Sequence, residues 1–383
     1  MSTQEPLPIL DDMARVQSVD RRYMLRLINE LPEQCETALG MGRSLALDEL
    51  AEPPNVVYIT GVGDSGSGAI CAVASVTPVA NVPVVAGHGP RVPGYVGEKS
   101  LVIAIDYAGN SETTLRAYRE AKLRGATVIC ATTGGALGEA ASEDGTKTIK
   151  MPGGQPARTA MGYILLPVVA ALERLGIAPG ITEQFLYAIR LTKNVREMLR
   201  FEIPTARNLA KQIAQALVDR VPVIYATAGY RVPLANRWAS QIGANAKSPA
   251  GVAMFPGALE GSICAWEDCG KSLRDATLMF LRDPLDHDTE LADVMDVTRD
   301  MIVSNPVLEV EIRGSTTAEK LLYGVYLGDY VSYYLALAYG VDPSACDSAR
   351  TIEMRLAEKR MPPPPPPPPA EEVEEIITEP DAE

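Results

Sequence analysis

The sequence predicts an α/β fold: two doubly wound domains, each with a mainly parallel sheet flanked by helices, followed by a disordered C-terminal tail. Short apolar runs alternate with helical stretches in the first half of the chain, and the same alternation begins again near residue 221. Such alternation places parallel strands in one sheet with helices on both faces. The length of 383 residues also suggests two domains, because a typical domain has about 100–200 residues.

The first half of the chain is expected to contain a helical segment and one domain. Residues 1–50 are predicted to be helical, because apolar side chains recur every three or four positions from Met24 to Leu31. Residues 51–180 form the first predicted domain, which opens on a continuous apolar run typical of a buried parallel strand. We expect its strands at 55–60, 82–86, 101–105, 127–131 and 146–150, and a helix capped by Ser111 at 111–124.

The second half is expected to repeat this architecture without obvious sequence identity. Residues 181–360 are predicted to form a helical bridge over 181–218 and then the second domain. An apolar run that ends near Gly229 leads into a helix, as in the first domain. We expect strands at 221–227, 277–280 and 308–312, and helices at 234–246, 288–303 and 316–339.

The charge is concentrated at the C-terminus. Of a net charge of −14, seven acidic residues and no basic one follow Pro369. Eight consecutive prolines, Pro362–Pro369, favour a polyproline II rod, so residues 361–383 are predicted to be disordered, either as a docking tail or as a solvated extension. The remaining charge of about −7 argues against nucleic-acid binding, which requires a basic face.

The composition also bears on location and on metals. No run approaches the ~18 apolar residues of a membrane span, and the N-terminus does not have the pattern of a signal peptide. We therefore expect a cytoplasmic protein that binds no membrane. Its six cysteines are expected to be reduced thiols, and Cys264 and Cys269 lack both zinc-ligand spacing and a nearby histidine. Neither a metal nor another cofactor is expected.

A glycine-rich turn follows the first predicted strand, at Gly61–Gly66 (GVGDSG). Its spacing fits the dinucleotide fingerprint, but that site also needs an acidic residue about 20 positions further on, and the second strand ends at His88 without one. The alternative is a cradle for a phosphate or a polyol. Gly63 and Ser65 would stand at a helix N-terminus, which favours an anion.

Further candidate ligand-binding residues follow the next strands. A second turn, Asp106–Ser111, carries Thr114 on the helix behind it, and a third loop ends at Arg158. Because parallel strands end at one edge of a sheet, where ligands bind, these groups are expected to converge. Each one taken alone is better explained as an ordinary helix cap, whereas the set suits a phosphorylated or polyhydroxylated ligand. His88 is close enough in the predicted sheet to contact it; His287 is expected in a solvated loop.

Five segments show a resemblance to a known family. They are GVGDSG (61–66), DYAGNSETTL (106–115), GGQPARTAMGY (153–163), RWASQIGANAKSPA (237–250) and DYVSYYLALAYGVDP (329–343). The chain resembles the sugar isomerase (SIS) domain and, more closely, the bifunctional phosphoglucose/phosphomannose isomerase family. This resemblance implies two SIS domains, a homodimer with shared active sites, and interconversion of glucose 6-phosphate or mannose 6-phosphate with fructose 6-phosphate.

The residues that the family uses for catalysis are changed in this sequence. The resemblance implies a glutamate base in an N-E-N-A-K motif, a histidine sixteen positions further on and a lysine on the last helix. Here Ala244, Glu260 and Glu353 stand at these places. In the turn that the resemblance assigns to phosphate, Asp106 adds a carboxylate, which repels an anion.

These changes leave several hypotheses open. The chain is either an isomerase whose base has moved, with Glu260 as the candidate base and Glu353 as a second candidate catalytic residue, or a non-catalytic sugar-phosphate-binding or regulatory relative. A third hypothesis is a different ligand, since Asp106 would favour an amino sugar or an unphosphorylated sugar.

Overall fold

Two parallel sheets, A and B, organise the chain. The computed structural model describes residues 7–44, 52–267, 274–286 and 290–360, so the predicted tail (361–383) and His287 lie outside the described residues. Sheet A contains five strands in the order β2-β1-β3-β4-β5, and sheet B contains four in the order β7-β6-β8-β9. All pairings are parallel, which confirms the predicted α/β class.

The strands have the following bounds. Sheet A is built from β1 (Val56–Thr60), β2 (Val84–Gly87), β3 (Ser100–Ile105), β4 (Thr127–Thr132) and β5 (Lys147–Lys150). Sheet B is built from β6 (Val221–Ala226), β7 (Gly251–Met254), β8 (Ala276–Arg282) and β9 (Val307–Glu311). Every strand expected from the sequence is present, with ends displaced by about two residues at most.

Helices cover both sheets. Those before and around sheet A are α1 (Met13–Val19), α2 (Met24–Asn29), α3 (Leu31–Ser44), α4 (Gly63–Val76), α5 (Glu112–Leu123), α6 (Gly135–Glu143) and α7 (Met161–Arg174). The others are α8 (Ile181–Leu199), α9 (Leu209–Ala216), α10 (Arg231–Gln241), α11 (Glu290–Met301), α12 (Thr317–Tyr339) and α13 (Asp347–Arg360). Residues up to Ser344 form one compact unit, and the unit that begins at Ala345 contains α13. Within the described ranges, no helix combines the length and apolar character that a bilayer span requires.

The central strands are apolar along their whole length because both of their faces are covered. Side chains of β3 alternate between two separate cores: Ile103 packs in the larger one and Val102 in the smaller one. Neighbouring β1 is buried at every position. This double burial explains the continuous apolar runs of the sequence.

Each sheet has one point at which the direction of strand order reverses. In sheet A the chain passes from β1 to β2 on one side and returns to β3 on the other. In sheet B the same reversal occurs between β6, β7 and β8. Crevices for ligands open at such points, beyond the carboxyl ends of the strands. The turns that follow β1 and β3 are therefore the first place to look for a site.

The long helix α12 is buried along almost its whole length, from Ala318 to Leu337. A capping box starts it, in which Thr316 and Glu319 each bond the other's backbone N–H, and Gly340 in the left-handed conformation ends it (φ 70°). Its glycines allow α10 to approach closely. A Cβ at Gly328 would lie 2.3 Å from Nε1 of buried Trp238.

Two features of the second half differ from the expectation. β7 was not predicted, because GVAM lacks the β-branched and aromatic run typical of a strand; it is held by its pairing with β6. The helix predicted at 234–246 widens into a π-helical turn at Ile242–Ala246. That turn ends at Lys247, whose backbone is left-handed (φ 58°).

We expect Gly328→Ala to destabilise the fold by about 1–3 kcal/mol, because the new methyl group must displace a packed indole ring. Chemical unfolding monitored by circular dichroism measures this loss. Gly40→Ala is the matched control, since a Cβ on that exposed glycine of α3 meets nothing within 4 Å; it should be neutral or slightly stabilising. Equal stability of the two variants would contradict the close packing of α10 on α12.

Candidate ligand-binding site

The turn after β1 begins the site. Gly63 is the first residue of α4 and has a positive φ of 57°, a conformation that glycine adopts without strain. Ser65, the third residue of α4, is buried. Its hydroxyl oxygen accepts a hydrogen bond from the backbone N–H of Tyr107 at 2.9 Å. This bond joins the turn after β1 to the turn after β3.

In the turn after β3, the carboxylate of Asp106 accepts hydrogen bonds from backbone N–H groups. Asp106 is 7% exposed; its Oδ2 accepts from the N–H of Ser111 at 2.6 Å, and the N–H groups of Ala108 and Gly109 also donate to the carboxylate. Burial raises the pKa of Asp106, although these hydrogen bonds oppose the rise. The donors that would cradle an external anion are therefore already used.

The helix behind this turn starts as the sequence predicts. The hydroxyl of Ser111 caps α5 by accepting from the N–H of Thr114 at 3.3 Å. The side chain of Thr114 is buried, and its hydroxyl has no hydrogen-bond partner in the part of the chain that the structure describes. Ser111 is half-buried, so of these two hydroxyl groups it is the one that a ligand can reach.

The loop between β5 and α7 holds Arg158 firmly. Tyr107 anchors this loop by donating its hydroxyl to the carbonyl of Pro152 at 2.8 Å. The guanidinium of Arg158 donates from Nε to Asn245 at 3.0 Å and from Nη2 to the carbonyls of Pro343 and Ser344 at 2.9 and 3.0 Å. Its Nη1 makes no hydrogen bond within the described part of the chain. The Nη1 atom of this fixed cation is thus available to a ligand.

A charged cluster that the sequence analysis did not single out lies beside Arg158. Nη2 of buried Arg237 donates to both oxygens of Asp329 at 2.8 and 2.9 Å and to the carbonyl of Arg158 at 3.0 Å. Its Nε and Nη1 atoms are buried and have no hydrogen-bond partner among the described residues. Asp64 faces this cluster: burial raises the pKa of its carboxyl, and the charges of Arg237 and Arg158 oppose the rise.

The π-helical turn forms another wall of the cluster. The side chain of Asn245 donates to Gln241 and Ser332 and accepts from Arg158. The neighbouring residue, Ala244, offers only a methyl group. Turns of this kind often occur at functional sites, and here the turn brings Asn245 to the guanidinium of Arg158.

The predicted histidine lies beside the first turn. His88 follows β2 directly, is exposed, and its Nδ1 lies 2.9 Å from the carbonyl oxygen of Gly61. Because a carbonyl can only accept, Nδ1 carries the proton. A neutral ring therefore presents Nε2 as an acceptor.

The two predicted catalytic acids lie in other parts of the structure. Glu260 is exposed at the end of a short turn, Gly257–Glu260, that follows β7 of sheet B. Glu353 is exposed on α13, in the unit that begins at Ala345. Their catalytic roles stay predictions.

At the corresponding edge of sheet B, the acid that follows β8 is paired with side chains of the same chain, although a cavity opens beside it. Asp283 follows β8 just as Asp106 follows β3, and its Oδ2 accepts from Lys320 at 2.7 Å and from the hydroxyl of Tyr230 at 2.8 Å. Although burial raises the pKa of Asp283, the hydrogen bond from Lys320 holds it below its ordinary value. The turns of sheet A, with Nη1 of Arg158 and the Asp64 carboxylate uncommitted, form the better candidate site.

Comparisons with known proteins agree with this architecture. Residues 206–356 match the model of the bacterial phospho-glucose isomerase C-terminal SIS domain. A bifunctional phosphoglucose/phosphomannose isomerase of Caldicellulosiruptor bescii is 34% identical over 88% of this chain and 99% of its own. That of Aquifex aeolicus is 29% identical over 72% of this chain and 82% of its own. A solved glucose-6-phosphate isomerase like protein of Thermus thermophilus shares the fold, with a TM-score of 0.59, 19% identity, and coverage of 93% and 99%.

The paired parallel sheets, with serine-bearing turns at the carboxyl edge of the first, define an α/β protein of the SIS type. Within that class, the similarity along nearly the whole chain is decisive: the chain belongs to the bifunctional phosphoglucose/phosphomannose isomerase family.

We expect Asp106→Ser to tighten the binding of hexose 6-phosphates by about tenfold, which corresponds to ~1.4 kcal/mol. The substitution removes a negative charge and frees the backbone N–H groups for the phosphate. Asp106→Asn, which removes the charge but keeps an acceptor, should have a smaller effect. Calorimetric titration with fructose 6-phosphate measures both.

Asp293→Asn, an exposed acid on α11, controls for the change in net charge and should leave the affinity as it is. Because the pKa of Asp106 is raised, lowering the pH should narrow the difference between the unmodified protein and Asp106→Ser. Equal affinities at all pH values would show that Asp106 does not compete with phosphate.

Proposed function

We propose that this chain binds a hexose derivative in the crevice at the carboxyl edge of sheet A, between the turns that follow β1 and β3. The observation that carries the proposal is the linkage of three segments: Ser65 bonds the turn that holds Asp106 and Ser111, and Tyr107 of that turn bonds the loop that carries the fixed guanidinium of Arg158. Hydroxyl groups and one cation suit a polyhydroxylated ligand that carries a partial or full negative charge.

The reaction to which the family relationship points is aldose–ketose isomerisation. The relatives are named for phosphoglucose and phosphomannose, so glucose 6-phosphate, mannose 6-phosphate and fructose 6-phosphate are the ligands to test first. Isomerisation passes through an enediolate, whose negative oxygen needs a nearby cation. Nη1 of Arg158 supports this assignment, because a rigid donor is effective only if it is held in place before the charge develops.

A second candidate is binding without turnover. It is favoured by Ala244, whose methyl group stands where the family resemblance places the catalytic base. In that case the chain would sense or carry a sugar phosphate, and the predicted roles of Glu260 and Glu353 would have no counterpart in chemistry.

Location and assembly belong to the same proposal. We propose a cytoplasmic homodimer that needs no metal or nucleotide, in keeping with a small-molecule ligand and the absence of membrane-spanning helices among the described residues. The role of the acidic tail remains the one expected from its composition, a solvated extension or docking segment.

We expect fructose 6-phosphate to raise the melting temperature of the purified protein in a saturable way, because a ligand that binds only the folded state stabilises it. Arg158→Lys should reduce this rise and weaken affinity by at least about tenfold, since lysine cannot reproduce the fork of hydrogen bonds. Arg116→Lys, on the exposed face of α5, is the matched control.

A coupled assay for glucose 6-phosphate and mannose 6-phosphate on the same preparation separates the two candidates. Binding with turnover supports the isomerase, and binding without turnover supports the non-catalytic protein. If no hexose derivative shifts the melting temperature, the proposed site is wrong.

A further inference from the structure

We propose that Asp64 is the proton-transferring group of this site and takes the place of the carboxylate that Ala244 lacks. The inference rests on the proposed binding of a hexose derivative, and it adds an active base to that site. It makes this chain an isomerase whose base has moved from the second half of the chain to the turn after β1.

The position of Asp64 is the first argument. It lies in the first turn of α4, at the point where the strand order of sheet A reverses, and it directly precedes Ser65. The next residue, Ser65, bonds the turn after β3 through the N–H of Tyr107. The Asp64 carboxylate also interacts electrostatically with the fixed guanidinium of Arg158.

The second argument is that the Asp64 carboxylate is uncommitted. It is half-buried, yet it has no hydrogen bond or ion pair with any residue in the described ranges. Two neighbouring acids, in contrast, have partners: Asp106 accepts from Ser111 and Asp329 from Arg237. The half-buried carboxylate of Asp64 is therefore available to a ligand group that approaches it.

The third argument is the electrostatic setting. The charged and titratable groups that face Asp64 are Arg158 from the β5–α7 loop, Arg237 from α10 and Asp329 from α12. The two cations keep the carboxylate available as a base, while burial raises its pKa above the ordinary value. A carboxylate with a raised pKa is a stronger base than an exposed one, as proton abstraction from carbon requires.

Alternative bases in the structure are less suited. Asp106 accepts three backbone hydrogen bonds, so abstracting a proton would cost it these contacts. Glu260 is exposed beyond β7 of sheet B. His88 donates its Nδ1–H to the carbonyl of Gly61, so its Nε2 is a competing base, and a full exchange rate in Asp64→Asn would point to it.

The proposed step balances without a further reactant. With the open-chain aldose bound, the Asp64 carboxylate takes the proton from C2. The C2–H electron pair forms the C1=C2 bond, and the carbonyl π pair moves to O1, beside Nη1 of Arg158. A proton then moves from O2 to O1, the carbonyl forms at C2, and protonated Asp64 returns its proton to C1 to give the ketose.

The experiment is proton exchange of fructose 6-phosphate in D₂O, followed by NMR, beside the melting-temperature shift that reports binding. We expect the unmodified protein to exchange the C1 proton, and Asp64→Asn to lose at least about a hundredfold in exchange rate while it still binds. Asp64→Glu should recover part of the rate, and Asp293→Asn should behave as the unmodified protein. The acid limb of the pH–rate profile should lie above the range of an exposed aspartate and disappear in Asp64→Asn.

The outcomes separate the inference from the proposed function. If the unmodified protein binds fructose 6-phosphate without exchange, or if Asp64→Asn exchanges at the full rate, the role of Asp64 is wrong and the binding site stands. If the protein does not bind any hexose phosphate, the proposed function fails and the inference with it. If Asp64→Asn does not fold, Asp64→Glu is the deciding variant. An exchange rate equal to that of the unmodified protein, with the same pH–rate profile, would overturn the inference.

Discussion

The buried guanidinium of Arg158 is the contact on which the rest of the site depends. It reaches from the end of sheet A to the π-helical turn and to the segment after α12, and three of its hydrogen bonds are made with groups far away in the chain. Taking a cation out of water is costly unless its donors are satisfied. The second half of the structure supplies these acceptors to a side chain of the first half, so the position of Arg158 depends on both.

The packing around α12 also depends on the pairing of buried polar groups. A helix buried on all sides cannot present polar side chains to its neighbours unless they are paired, and its Asp329 is paired with Arg237. Small residues on α12 allow α10 to come close enough for this pair to form. The geometry of the site is thus set by helix packing some distance from the ligand, and the turns at the strand ends inherit their rigidity from it.

Much of this architecture follows from sequence pattern alone. The inner strands of sheet A, such as β1 and β3, are continuous buried runs, and Ser111 is a recognisable helix cap. The partners of Arg158, however, lie more than eighty residues away, and no local pattern indicates them. Asp64 lies in the motif GVGDSG and Arg237 in RWASQIGANAKSPA. Neither motif indicates the charged cluster, because the cluster is defined by burial and by hydrogen bonds between segments distant in the chain. The sequence does not indicate β7, because this edge strand is held by its pairing with β6 and not by a strong strand propensity of its own.

The carboxylate of Asp106 in its nest of backbone donors has a consequence for selectivity. The Asp106 carboxylate is tethered to the turn by a short stretch of chain, so it competes with an external anion at an effective concentration of about millimolar or more. This competition does not depend on the protein concentration. Free inorganic phosphate, which has no other hold on the crevice, therefore gains little by entering. In the proposed site, a sugar that is anchored through its hydroxyls would displace the tethered acid, so we expect the turn to select against free inorganic phosphate.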